Sequence, residues 1–77
     1  MEIGTFLNNF IEQLDDTDAS TINAETKFRD IDEWDSLTSL SIIAMVDEEY
    51  AVMLTGEDFR NSQTIQDLFE VVKSRVN

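Results

Sequence analysis

The chain has 77 residues, of which 42% are apolar, and its 5 basic and 17 acidic side chains leave a net charge of −12 at pH 7. That length predicts one domain, residues 1–77, and the charge excludes a grip on nucleic acid, which needs Lys and Arg to displace counterions from phosphates. Leu, Ile, Val and Phe supply 23 of the 77 residues, about 30% against the roughly 20% below which chains stay disordered, so a small folded core is expected.

Ile3, Phe6, Leu7, Phe10, Ile11 and Leu14 recur at three and four residues and predict a helix over residues 2–15 with one apolar stripe. Buried, each of the six contributes about 1.5–3 kcal/mol before entropy is subtracted, which makes this helix a major wall of the core. From Asp15 to Asp35 the period lapses among Asp, Thr, Ser and Asn, giving a long loop pinned by Ile22, Phe28 and Ile31. Loops of that length are often functional. The helical period resumes at Leu37, and Asp35 or Ser36 can cap a helix over residues 36–50. Its inward stripe is read as Ser39, Ile42, Ile43, Val46 and Tyr50. Leu37, Leu40, Ser41, Ala44 and Glu48 share another face, beside Asp47, Glu48 and Glu49. Residues 57–61 make one short helical turn with Phe59 inward, and Thr64 caps a last helix on which Ile65, Leu68, Phe69, Val72 and Val76 recur. Asp67 near its start and Lys73 and Arg75 near its end suit the helix dipole. The predicted fold is all-α, a small four-helix bundle of three longer helices and one short one.

No apolar run approaches the roughly 20 residues that cross a bilayer, and Met1-Glu2-Ile3-Gly4 lacks the basic start of a secretion signal, so a cytoplasmic protein without membrane insertion is expected. The chain has no Cys and no His, which removes disulfides, thiolate metal sites and the commonest general base. Carboxylates, Tyr50 or a cofactor would have to carry any chemistry, and the chain is not expected to be an enzyme. Four carboxylates crowd the segment Asp30-Ile31-Asp32-Glu33-Trp34-Asp35-Ser36-Leu37. As a calcium loop it fails, because the sixth position is Asp35 where Gly is needed and the twelfth is Ser41 instead of Glu. Ser36 alone reads as a helix cap.

In context the segment says more. Asp35-Ser36-Leu37 opens the second helix of a small acidic helical chain, Phe28 lies in the loop before it, Glu48-Glu49-Tyr50 ends that helix, and Thr64-Ile65 opens the last one. Over essentially its whole length the chain resembles the acyl carrier proteins and related peptidyl carriers. The resemblance implies that Ser36 carries 4′-phosphopantetheine, attached by a phosphopantetheinyl transferase, with Asp35 and Leu37 at the same site. It implies an acyl or aminoacyl group held as a thioester and delivered to enzymes of fatty-acid, polyketide or related biosynthesis. An anion on Ser36 would gain about 0.3–1 kcal/mol from the start of the helix. Asp35 opposes it, and an extended, mobile arm is the expected balance. A folded-back arm could lie along the apolar interior beside the helix, which spans about 21 Å from Ser36 to Tyr50.

Loading and acceptor enzymes would then dock through basic patches, on Leu40, Ala44, Asp47 and Glu48, onto what is expected to be a monomer. The chain departs from the family pattern at Asp32-Glu33, where many acyl carriers have Leu-Gly, and at Thr38 and Ser41, which are often acidic in the fatty-acid carriers. The first difference bears on the geometry of the loop, and the second, at Thr38 and Ser41, favours a specialised pathway. Trp34 is open to two readings, loop packing or partner contact. The alternative to the carrier is an unmodified acidic interaction module of the same fold, in which Ser36 only caps.

Overall fold

A computed structural model describes residues 2–76, with four α-helices: α1 (Ile3–Glu12), α2 (Ser36–Tyr50), α3 (Gly56–Arg60) and α4 (Ile65–Arg75). Helix α1 packs against α2 and α4, and α3 packs against α4. Among the described residues there is no strand, only one isolated antiparallel bridge between Lys27 and Thr64. The all-α bundle expected from the periodicity is the observed fold.

The core is built from the predicted stripes. Phe6 and Phe10 of α1, Ile42 and Val46 of α2, and Ile65, Leu68 and Val72 of α4 are fully enclosed. Helix α1 is shorter than its periodicity suggests, ending at Glu12, and Leu14 remains buried just beyond it with its amide donating to Ile11 O at 2.9 Å. Two apolar residues of the α2–α3 connection, Val52 and Leu54, and Met45 of α2 join the core although no stripe contains them. Ser39, read as part of the inward stripe, is half-buried and turns its hydroxyl to the carbonyls of Asp35 and Ser36. Val76 lies past the end of α4 and is exposed, because the helix stops one residue before it.

Both later helices start with reciprocal caps. The Thr55 hydroxyl accepts from the Asp58 amide while Asp58 accepts from the Thr55 amide, and Thr64 and Asp67 repeat the arrangement, so two orphan amides are satisfied at each start. Helix α2 ends differently. Ala51 takes a left-handed conformation, φ 56° and ψ 37°, at a position where glycine is the usual choice.

The long connection from α1 to α2 is ordered by its own anchors. Ile22, Phe28 and Ile31 are buried as expected, Ala19–Thr21 and Phe28–Asp30 form single 3-10 turns, and the segment is tied to the start of α4 by the Ile65 amide on Thr26 O (3.1 Å) and the Gln66 amide on Ala24 O (2.8 Å). Those bonds hold the middle of the connection, at Ala24 and Thr26, against the start of α4.

Candidate functional site

Four consecutive residues lead into α2, and each of the first three is committed to a different neighbour. The Glu33 carboxylate turns back to the end of α1, accepting from the amides of Asp15 (3.0 Å), Asp16 (3.1 Å) and Thr17 (2.9 Å) and from the Thr17 hydroxyl. The Thr17 hydroxyl, helped by the three amides, holds the Glu33 carboxyl below the usual carboxylate range. The departure at Asp32-Glu33 thus supplies an acceptor that closes the loop. Trp34 goes inward. Its ring stacks on Phe10 at 5.9 Å with 2° between planes, and it meets Phe28 at 5.0 Å and Phe59 at 5.9 Å. Of the two readings of Trp34, the packing role is therefore realised.

Asp35, not Ser36, is the N-cap. Its Oδ1 accepts from the Thr38 amide at 2.8 Å and from the Thr38 hydroxyl at 3.0 Å, and the amide bond is the leading reason that its carboxyl is held below the usual range. This leaves Ser36 as the first helical residue, exposed, with its hydroxyl in no hydrogen bond among the described residues. The other serines are spoken for. Ser20 bonds to Asp18, Ser39 to the carbonyls of Asp35 and Ser36, Ser41 to Leu37 O and Ser74 to Val71 O, while Ser62 is buried. Ser36 is therefore the one exposed serine with a free hydroxyl among the described residues.

Leu37 and Leu40, 71% and 59% exposed, stand on the outer face of α2 as the second apolar pattern suggested, and Ala44, Asp47 and Glu48 are exposed further along it. Ser36 and Glu48 are twelve residues apart on this helix, about 18 Å at 1.5 Å per residue. The candidate residues therefore form a ridge running away from Ser36, not a pocket around it. Met53 in the α2–α3 connection is 63% exposed and adds an apolar side chain that periodicity did not single out.

Sequence reasoning also missed an open groove of about 420 Å³ between α2 and α3, lined by Ser36, Ser39, Leu40 and Ile43 on one side and by Phe28, Trp34, Gly56, Phe59 and two arginines, Arg29 and Arg60, on the other. The space next to Ser36 is this surface groove. The interior beside α2, where a folded-back arm was expected to fit, is filled by Phe6, Phe10, Phe28, Ile42 and Val46. Among the described residues no three carboxylates converge on a metal position, and no helix is long and apolar enough to cross a membrane.

Curated proteins offer no match to the chain. A family model described as a phosphopantetheine attachment site matches residues 6–72, from the buried Phe6 of α1 to the buried Val72 of α4, with the free serine and its groove inside that span. The chain belongs to this family, whose domains are sites of covalent 4′-phosphopantetheine attachment and act as carriers of the acyl-carrier type.

Proposed function

We propose that Ser36 is the attachment residue and that the chain holds an acyl or aminoacyl group there as a thioester for delivery to partner enzymes. The observation that carries the proposal is the division of labour at the start of α2. Asp35 supplies the cap, and the adjacent hydroxyl of Ser36 is exposed and unbonded. When bound, phosphopantetheine supplies the thiol on which acyl groups ride, so the absence of Cys and His from the chain is no obstacle. The protein's own task is to present Ser36 at the end of a rigid helix and to be recognised.

Recognition falls to the ridge of Leu37, Leu40 and Ala44 followed by Asp47 and Glu48, with Asp35 at its head. Apolar side chains left in water beside carboxylates suit a contact with an apolar centre and a basic rim, where charge steers encounter and buried area holds the complex. We place the carrier in the cytoplasm, loaded by a phosphopantetheinyl transferase and serving enzymes of fatty-acid, polyketide or related biosynthesis. Thr38 and Ser41, where fatty-acid carriers are often acidic, weigh towards a specialised pathway among these.

Incubation with coenzyme A and a broad-specificity phosphopantetheinyl transferase is expected to add the mass of one arm to the wild type and nothing to Ser36→Ala. Peptide mapping should find the added mass on the segment containing Ser36. A wild type that stays unmodified, while a control carrier is loaded in the same tube, would favour the unmodified interaction module instead.

A further inference from the structure

Only 5 cationic side chains face 17 carboxylates in this chain, yet Arg29 and Arg60 both line the groove that begins at Ser36. Arg29 is held in place: its guanidinium lies 4.9 Å from the Phe28 ring centroid and donates to the Phe59 carbonyl oxygen. Arg60 turns back over the first residue of α3, so that a Cβ added at Gly56 would sit 3.5 Å from its Nη1. Neither guanidinium pairs with a carboxylate among the described residues, where the ion pair present joins Arg75 to Asp58. In a chain of charge −12, two of the five cationic side chains thus line the same groove as the free serine, where they can attract an anion. Planar guanidinium groups match phosphate oxygens in pairs of hydrogen bonds.

We propose that Arg29 and Arg60 bind the phosphodiester of the prosthetic arm and draw that arm into the groove against Trp34, Ile43 and Phe59. The proposal rests on attachment at Ser36. It replaces the freely extended arm, expected when only Asp35 and the helix dipole are weighed, with an arm that has a docked position on the carrier. Docking would shelter the start of the arm from solvent and be released when a partner covers the ridge on the outer face of α2.

The test compares the unmodified and the phosphopantetheinylated, unacylated forms of the wild type, Arg60→Gln, Arg29→Gln/Arg60→Gln and Arg29→Lys/Arg60→Lys at low salt. Without a cationic partner, an added phosphodiester deepens the self-repulsion of the chain and lowers its Tm. With two guanidinium contacts it should raise the wild-type Tm by about 2–5 °C. The rise should shrink in Arg60→Gln, vanish or reverse in the double glutamine variant, and survive in part with lysines. Each variant is measured against its own unmodified form, so a general loss of stability cancels. Should the double variant not fold, Arg60→Gln carries the comparison, since the exposed Arg60 side chain makes no hydrogen bond among the described residues. Backbone amide shifts on loading should fall on Arg29, Phe59 and Arg60. Equal Tm changes in all variants, or shifts confined to Leu37 and Thr38, would overturn the proposal. An effect that emerges only once the arm carries a dicarboxylic acyl group would also overturn it, by assigning the arginines to the cargo. A wild type that accepts no arm is recognised by mass alone, and removes the attachment site together with this inference.

Discussion

Replacing Trp34 by alanine removes a ring that stacks on Phe10 at 5.9 Å, meets Phe28 at 5.0 Å and Phe59 at 5.9 Å, and remains half-buried. Fully buried tryptophan-to-alanine changes cost about 3–5 kcal/mol, and aromatic pairs add about 0.5–1.5 kcal/mol each beyond the area they bury. With partial exposure discounted, a loss of about 2–4 kcal/mol is expected. A chain of this length has roughly 4–12 kcal/mol in total, so the variant should lose a large share of its stability and melt about 10–20 °C lower. Trp34→Phe keeps a ring in the stack and should lose less than half as much. The assay is urea unfolding followed by far-UV circular dichroism, because the chain has a single Trp and the variants have no indole signal to follow. If Trp34→Ala unfolded within about 0.5 kcal/mol of the wild type while transfer to a partner enzyme slowed, the packing argument would fail and Trp34 would be a contact residue.

Three further outcomes follow from the same geometry. Ser36→Ala should leave the melting temperature of the unmodified protein unchanged, whereas Asp35→Ala should lower it, because the cap on the Thr38 amide belongs to Asp35; thermal melts of the two variants side by side decide this. Ala51→Gly should stabilise the fold by about 0.5–1 kcal/mol, seen as a higher urea midpoint, since an exposed alanine at φ 56° gives up no packing when its Cβ is removed. The Arg75 guanidinium, 2.7 Å from Asp58, with help from the Thr55 amide and hydroxyl, lowers the Asp58 carboxyl from 3.8 to about 2. A carboxyl depressed in the folded state adds stability that is complete above its unfolded value and is lost as pH falls through the folded one. The stability gap between wild type and Arg75→Gln should therefore be widest above about pH 5 and close towards about pH 2.

The helices are legible in the sequence wherever local pattern and local chemistry agree. Five of the six apolar residues at helical spacing lie within α1, and Thr64 with Asp67 three residues on marks the start of α4 by residue type alone. The features that stay hidden depend on residues distant in the chain. The left-handed end of α2 carries no Gly or Asn to announce it, and the turn at Ala51 is followed directly by the buried Val52 and Leu54. Glu33 reads as a solvated charge, since the amides it accepts from lie sixteen to eighteen positions earlier. Arg29 and Arg60 are separated by the whole of α2 and come to line one groove through the loop and α3, whose Phe28 and Phe59 both pack on Trp34. For the cap, residue type makes Asp35 and Ser36 equal candidates. The backbone separates them by placing Asp35 outside the helix in an extended conformation and Ser36 inside it.

That single-residue offset explains how a small, strongly charged bundle can hold one hydroxyl firmly in position without consuming it. A serine serving as its own cap would lose that bond whenever its oxygen was esterified, so modification would carry a stability penalty at the start of the helix. Here the positioning is done by the neighbours: Glu33 reaches back to the end of α1, Trp34 fills the aromatic cluster, and Asp35 closes the first turn. Each of these commitments restrains the backbone at residue 36 while leaving its side chain uncommitted. Loading Ser36 then need not break any contact that holds the fold, which is what a carrier requires if its bare and charged forms are to share one structure.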